Sequence, residues 1–521
     1  MRKNKDKRNF NQAYKNKIMF VVENILLILL SLILGFVIFG LCFCINHWPD
    51  IDVPQLMFNL FAPLKGTSNG LKIKATLLIS IPMILLSGVI AVVLFTLKEK
   101  KKRSVAKVTM FSVSGFLTVI TLICAFDWLD LINYISLNSK QSTYIQDNYA
   151  EPRKVKLAFP DKKRNLLYIY LESTEVTFTD FEHGGAKEQN LIPELTELAI
   201  ENEDFSGNDE KLNGISVLPG IKWTAASMFA STSGLPLIIG KEDEKAIKEA
   251  EGSKDEITYF PNIMTLGDIL KINGYTNELL IGSDAKFAAR ELYFSKHGNY
   301  LMHDYYYAKE NLFESHGIEK NHYVNWGYED KHLFEFAKEE LIEYSKADKP
   351  FNLTMLTVDT HFEDGYVCDD CIEYYDDQYS NVYRCSSKKV SDFLQWFRHS
   401  DEIPQDVVEN TTIVLTGDHP TMDSDFCDDV DPEYQRKSYV CYINSAVKAS
   451  DKSLRREYSA MDHFPTTLAS LGVRIDGDRL GLGTNLFSTV PTLIESSSLK
   501  DVKDEFLKTS KFLKDLQYGK K

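Results

Sequence analysis

The 521-residue sequence has no surplus of basic charge: 59 lysines and arginines face 74 aspartates and glutamates, a formal net charge of −15. A surface that grips nucleic-acid phosphates must be basic, so nucleic acid is excluded as a partner. Cysteine is scarce, eight in all. The CxxC spacing occurs once, at Cys368 and Cys371, with no second such pair to complete a four-cysteine metal site. No small-x-small cleavage site follows the first apolar stretch, which is also too long for a removable leader.

What the sequence does have is apolar residue in long runs. The 44 % hydrophobic content is concentrated at the N-terminal end. One run extends from Ile18 to Cys44, broken only by Glu23 and Asn24 near its start; others cover 77–97 and about 108–126. Some 20 such residues span a bilayer, so three transmembrane helices are expected. Basic residues crowd the segment before the first run and the KEKKKR stretch at 98–103, whereas the 45–72 loop has few. The positive-inside rule then puts the N-terminus and 98–103 in the cytoplasm and everything after about residue 130 outside, in a multi-pass protein of the inner or plasma membrane. Cys42, Cys44 and Cys124 lie in or beside the spans, while Cys368, Cys371, Cys385, Cys427 and Cys441 fall in the oxidising exterior. Those five are expected to serve mainly in structural disulfides, with the pairing open.

Beyond the spans, short apolar runs at 164–173, 274–284, 351–361, 411–419 and 438–446 read as buried strands. Helical patterns at 191–202, 329–346, 386–399 and 460–471 lie between or after them. Strand alternating with helix, without hairpin turn signals, predicts an α/β fold with a mainly parallel central sheet flanked by helices. The expected division is a membrane domain at 1–130, a connector at 131–160, an extracytoplasmic catalytic domain at 161–490 and a charged C-terminal tail at 491–521.

In such sheets chemistry collects at the carboxyl ends of strands. Three predicted strand ends deliver ligand-type side chains: Glu172; Asp418 and His419; Asp359 and His361. Any one could simply cap the next helix, but three together suit a divalent cation held by oxygen and imidazole. The stretch LPGIKWTAASMFASTSGLPL at 218–237 adds Thr224, ahead of a short helix over Ala225–Ser233 with Gly234 as its C-terminal cap. At that N-terminus the hydroxyl is either a helix cap or a nucleophile beside an anion site. This window alone leaves both open.

Taken together, ES at 172–173, WTAASMFASTSGLPL at 223–237, DTHFEDGY at 359–366 and LTGDHPTM at 415–422 resemble the lipoteichoic acid synthase and phosphoglycerol transferase family of the alkaline phosphatase/sulfatase superfamily. The motifs are nearest to the type that decorates periplasmic glucans. The likeness covers about 160–490, with three spans where the Gram-positive synthases usually carry five. It implies a metal site of Glu172, Thr224, Asp418 and His419, with Mn2+ first and Mg2+ or Zn2+ as alternatives. Thr224 becomes the nucleophile that carries glycerol phosphate, and His361 contacts the transferred group as acid or base. The family's substrate-contacting stretch is answered by GSDAKFAAREL, which offers Asp284 and Arg290 but lacks the family's tryptophan and spacing. His463 and Trp326, in family-like motifs, are expected to pack. The implied donor is phosphatidylglycerol and the implied acceptor a cell-envelope glycan or glycolipid. A phosphoethanolamine transferase acting on lipid A or a surface glycan is the nearest alternative. A hydrolytic sulfatase is disfavoured because no C/S-x-P-x-R motif surrounds Thr224. The alternative of another class is a non-catalytic membrane-anchored scaffold, which the complete set of Glu172, Thr224, Asp418 and His419 opposes.

Overall fold

The structure, a computed structural model, describes residues 2–48, 51–61, 69–207, 209–238 and 259–518. Its first helices are α1 (Arg2–His47), α2 (Val53–Phe61), α3 (Asn69–Thr96) and α4 (Lys100–Trp128). Two compact units separate, one from residues 1–50 and 68–132 and the other from 51–67 and 133–521.

The first unit is built of α1, α3 and α4. Each holds a stretch long and apolar enough to cross a membrane: Tyr14–His47, Gly70–Thr96 and Lys100–Trp128. Their apolar side chains, such as Ile33, Leu85 and Phe116, point outward, which suits hydrocarbon and not water. The protein is a membrane protein. Glu23, the charge that interrupts the first run, is matched by Lys107 of α4, Nζ to Oε1 2.7 Å, as charges in spanning helices usually are. Gly35 lets α3 approach closely, since a Cβ there would come within 3.1 Å of Met83 Cγ.

The second unit is α/β. Its main sheet has seven strands: β1 (Asn165–Leu171), β2 (Gly214–Ser216), β3 (Thr276–Ile281), β4 (Leu301–His303), β5 (Phe351–Leu356), β6 (Thr411–Gly417) and β7 (Lys437–Ile443). They lie in the order β2-β7-β6-β1-β5-β3-β4. β6, β1, β5, β3 and β4 run parallel, whereas β7 is antiparallel to both β6 and β2. The sheet is thus mainly parallel, and one of the five strands anticipated from sequence, 438–446, is reversed. Central strands buried on both faces need continuous apolar sequence, and NLLYIYL in β1 and FNLTML in β5 are buried along their whole length. One core layer gathers Tyr168, Tyr170, Leu279 and Val414; the opposite layer gathers Leu167, Ile169, Leu353 and Leu415. Alternating β1 residues therefore serve both layers.

Helices α5 (Thr224–Ser233), α6 (Asp330–Ser345) and α7 (Gln378–His399) complete the frame used below. α7 starts eight residues before the 386–399 pattern because Asp377 caps it, accepting from Ser380 N at 2.7 Å. The charged segment beyond 490 carries short helices, and Val502, Phe506 and Leu513 from it are buried in the first core layer. Helix α2, from the loop between the first two apolar runs, also belongs to this unit, with Phe58 against Trp223, ring centres 5.1 Å apart.

Candidate active site

β1 is flanked by β5 and β6, so the carboxyl ends of three neighbouring parallel strands open side by side. Register sets the first two ligands together: Leu171 pairs with Gly417, so Glu172 and Asp418 follow as neighbours. A side chain at Gly417 would meet Thr174 O at 1.9 Å, so only glycine allows this approach. Ser173 takes φ 52°, in the left-handed region that costs a non-glycine residue energy. In that conformation its N–H donates to Asp418 Oδ1 at 2.8 Å, and its hydroxyl donates to Glu172 Oε1 at 2.8 Å. His419 N–H also donates to Asp418 Oδ1, at 2.8 Å.

Helix α5 brings in Thr224 as its first residue. Gly234 ends the helix with φ 68°, ψ 28°, the left-handed cap expected. The N-cap position belongs to Trp223, and no side chain makes a capping hydrogen bond there. The Thr224 hydroxyl turns instead to Glu172 Oε2 and His419 Nε2, each at 3.3 Å. Of the two roles left open by sequence, capping is not the one it fills.

Glu172, Asp418 and His419 are all nearly inaccessible to solvent, and their ligand atoms cluster. His419 Nε2 lies 3.5 Å from Glu172 Oε1 and 3.4 Å from Asp418 Oδ2. Ligand atoms about 2.1 Å from one cation, set tetrahedrally, stand about 3.4 Å apart, a spacing that these separations suit. Two details support the fit. Asp418 Oδ2 is buried with no hydrogen-bond partner, an arrangement that costs free energy unless a cation faces it. His419 Nδ1 is held by Pro420 O at 2.8 Å; a carbonyl only accepts, so Nδ1 carries the proton and Nε2 keeps its lone pair. Burial, then the Glu172 charge, pushes the Asp418 carboxyl up to about 7. Two adjacent buried carboxylates want positive charge.

His361 follows β5. Its Nδ1 is 2.7 Å from Phe362 O, so by the same reasoning Nε2 is the acceptor. Trp326 packs on its ring, centres 4.6 Å apart. Enclosure, with some help from His419, lowers its pKa to about 4. The imidazole is therefore neutral above that pH and becomes charged only as pH falls through it. Asp359, from the same strand end, faces away from the cluster: its Oδ2 takes Lys389 Nζ at 2.7 Å, and its Oδ1 accepts from Asp330 N at 3.1 Å.

Arg290 is buried, with Nη2 on Ser283 Oγ at 3.0 Å and Asp284 O at 2.9 Å. Burial lowers its pKa to about 10, against the opposing pull of Glu172, Asp284 and Asp418 among others. Its charge is thus felt at the cluster. The Asp284 carboxylate is spent locally, accepting from Lys286 N at 2.8 Å.

The structure thus brings together Glu172, Thr224, Asp418 and His419, keeps His361 and Arg290 within electrostatic reach, and turns Asp284 to its own loop. His463 packs as anticipated, buried with Nδ1 2.8 Å from Tyr442 OH. Trp326 packs as anticipated, with its ring on His361. Ser173 was overlooked as a support for both carboxylates; a polar residue right after a strand-end Glu was the available signal. The cysteine expectation is corrected: among the described residues only Cys371 and Cys385 are bridged, while Cys368, Cys427 and Cys441 are free. Cys441 lies inside β7, buried in the core with Sγ donating to Leu198 O, away from any partner thiol.

Residues 220–473 match the family described as Sulfatase. Phosphoglycerol transferase I of Shigella flexneri is 32 % identical over 348 residues, 65 % of this chain and 41 % of that protein. The protein of the same name from Escherichia coli strain K12 matches over the same shares. The chain thus aligns with well under half the length of these relatives. A lipoteichoic acid synthase structure from Listeria monocytogenes has TM-score 0.46 at 16 % identity, covering 66 % of this chain and 81 % of that one; so slight a likeness carries no weight for activity.

Proposed function

We propose, from the match of residues 220–473 to the Sulfatase family and the 32 % identity to phosphoglycerol transferase I, that the chain moves glycerol phosphate from phosphatidylglycerol to a hydroxyl of an envelope glycan or glycolipid. The observation that carries this reading is the Thr224 hydroxyl, which begins a helix without capping it and turns to Glu172 and His419.

A divalent cation, Mn2+ first among candidates, would be held by Glu172, Thr224, Asp418 and His419 and would supply a lowered hydroxyl pKa and neutralisation of phosphoryl charge. The remaining roles fall to the chain's own groups. Thr224 Oγ1 attacks phosphorus, the bond from phosphorus to the glyceride oxygen breaks, and diacylglycerol leaves with a proton. The phosphoryl group then sits at the start of α5, where the first helical hydrogen bond is from Ser227 N to Trp223 O; the amides before it lie outside the ladder, and the helix dipole favours an anion. An acceptor hydroxyl next attacks the same phosphorus, giving its proton to His361 Nε2; the bond from phosphorus to Thr224 Oγ1 breaks, and Oγ1 takes that proton back from His361, which restores both groups. Arg290 supplies fixed positive charge beside the site, with Asp284 shaping its loop. The three apolar helices tether the chain to the membrane that carries the lipid donor, and their basic flanks favour a catalytic unit outside the cytoplasm.

A neutral His361 acts as base without first losing a proton. His361→Gln is expected to slow transfer by about 10²- to 10⁴-fold. Because the imidazole stays neutral down to about pH 4, the wild-type rate should show no inflection from this group between about pH 5 and 8. A wild-type inflection near pH 6.5 that disappears in His361→Gln would contradict the assignment.

The function is tested by supplying purified protein with labelled phosphatidylglycerol or phosphatidylethanolamine. Release of diacylglycerol from the first alone is the expected result. Turnover of only the second would replace this reading with phosphoethanolamine transfer, and turnover of neither would favour a scaffold.

A further inference from the structure

A second group of ligand-type side chains lies on the far side of the sheet's parallel run, where β3, the edge strand β4 and helix α6 meet. Glu278 of β3 is completely buried, although it is a carboxylate in the middle of a strand. His303, the last residue of β4, places Nδ1 2.9 Å from Glu278 Oε1 and 2.9 Å from Glu340 Oε1 of α6. At such distances a hydrogen bond would be expected. Yet Nδ1 and Glu278 Oε1 are both buried with no hydrogen bond of ordinary geometry, although, against burial of the ring, the two carboxylates favour a proton on it and raise its pKa to about 9.

A close contact without an ordinary hydrogen bond is also what a shared cation produces. Two ligands at right angles, each about 2.1 Å from one ion, stand about 3.0 Å apart, and the ion occupies the axis of the imidazole lone pair. The surroundings agree. Glu278 Oε2 accepts a hydrogen bond from Tyr344 OH, the kind of outer partner that orients a ligating carboxylate. The His303 ring is fixed by stacking on Tyr307, centres 3.7 Å apart and planes within 7°. Two carboxylates bring two negative charges, which one imidazolium half offsets and one divalent cation with a neutral imidazole cancels. His303 and Glu340 retain side-chain exposures of 12 % and 19 %, a route for the ion.

We propose that Glu278, His303 and Glu340 form a second divalent-cation site, structural in role, that ties the edge strand β4 to β3 and α6. β4 is three residues long and pairs with β3 alone, so a cross-link there has a clear use. Asp304, next to His303, accepts from Ala285 N at 3.1 Å and from Tyr306 and Tyr307 N. The same edge thereby supports the loop that leads to Arg290.

The full-length chain, purified in detergent and stripped with chelator, is reloaded with Mn2+ or Zn2+ alone, dialysed and analysed for metal per chain. Two equivalents are expected in the wild type, one in Asp418→Asn, one in His303→Asn or Glu340→Gln, and none in the Asp418→Asn/Glu340→Gln double variant. Chelator should lower the melting midpoint of Asp418→Asn and leave that of the double variant unmoved. Glu340→Gln, at the exposed end of the group, keeps the test usable if His303→Asn fails to fold. Equal metal content in wild type and Glu340→Gln, or no metal in a folded Asp418→Asn, would overturn the proposal and leave a proton as the occupant. Because Asp418→Asn silences only the first site, failure here does not touch the reading of Thr224.

Discussion

Replacing Thr224 by alanine is expected to reduce lipid turnover to background, a fall of about 10⁴-fold or more, while the protein stays folded and its melting midpoint barely moves. The size of the effect follows from the role: among the described residues no other hydroxyl is placed against both Glu172 and His419, and removing a nucleophile disables both displacement steps at once. The small stability effect follows from the hydrogen bonding. A lost N-cap would cost about 1 kcal/mol, but Thr224 makes no capping bond, so the cost should lie below that. Thr224→Ser, which keeps the oxygen, should keep part of the activity. Turnover assays paired with thermal melts separate the two readings: a parallel decline of stability and activity in Thr224→Ala would mean that the hydroxyl serves the fold.

The second large effect belongs to Asp418. Asp418→Asn changes one atom and one charge; the bonds from Ser173 N and His419 N to Oδ1 can persist, so the strand end should hold its shape. What goes is the anionic Oδ2 that faces the other donors without a hydrogen-bond partner. One equivalent of bound Mn2+ should disappear, and turnover with it, to below about one thousandth of wild type, since the threonine hydroxyl then lacks the neighbour that lowers its pKa. Elemental analysis alongside the assay checks both. Full activity with unchanged metal content would show that the cation, if one is used, is held elsewhere.

The parts legible in the sequence were those written in periodicity and strand ends. The uninterrupted runs around Tyr168, Leu353 and Val414 marked strands buried on both faces, and adjacency of β5, β1 and β6 then joined Glu172 to Asp418 and His419 as the carboxyl-end rule requires. Direction was not legible: β7 is as apolar as its neighbours, and only its pairing with β2 and β6 reveals it as antiparallel. Side-chain aim was not legible either. Asp359 and His361 leave the same strand, yet Lys389 from α7 draws Asp359 away, a contact between residues 30 apart in the chain. Nor does periodicity show that α2, a nine-residue helix in the loop between two apolar runs, places Phe58 on Trp223, beside Thr224. The Glu278, His303 and Glu340 group escaped for the same reason: three elements contribute one residue each, with no motif.

The central claim is a covalent one, and mass spectrometry tests it most directly. Wild-type protein incubated with phosphatidylglycerol and no acceptor, then digested, should show the peptide containing Trp223 and Thr224 heavier by one glycerol phosphate, with the addition mapped to Thr224 and absent from Thr224→Ala. A protein that releases diacylglycerol from phosphatidylglycerol under these conditions and never carries that adduct would contradict it.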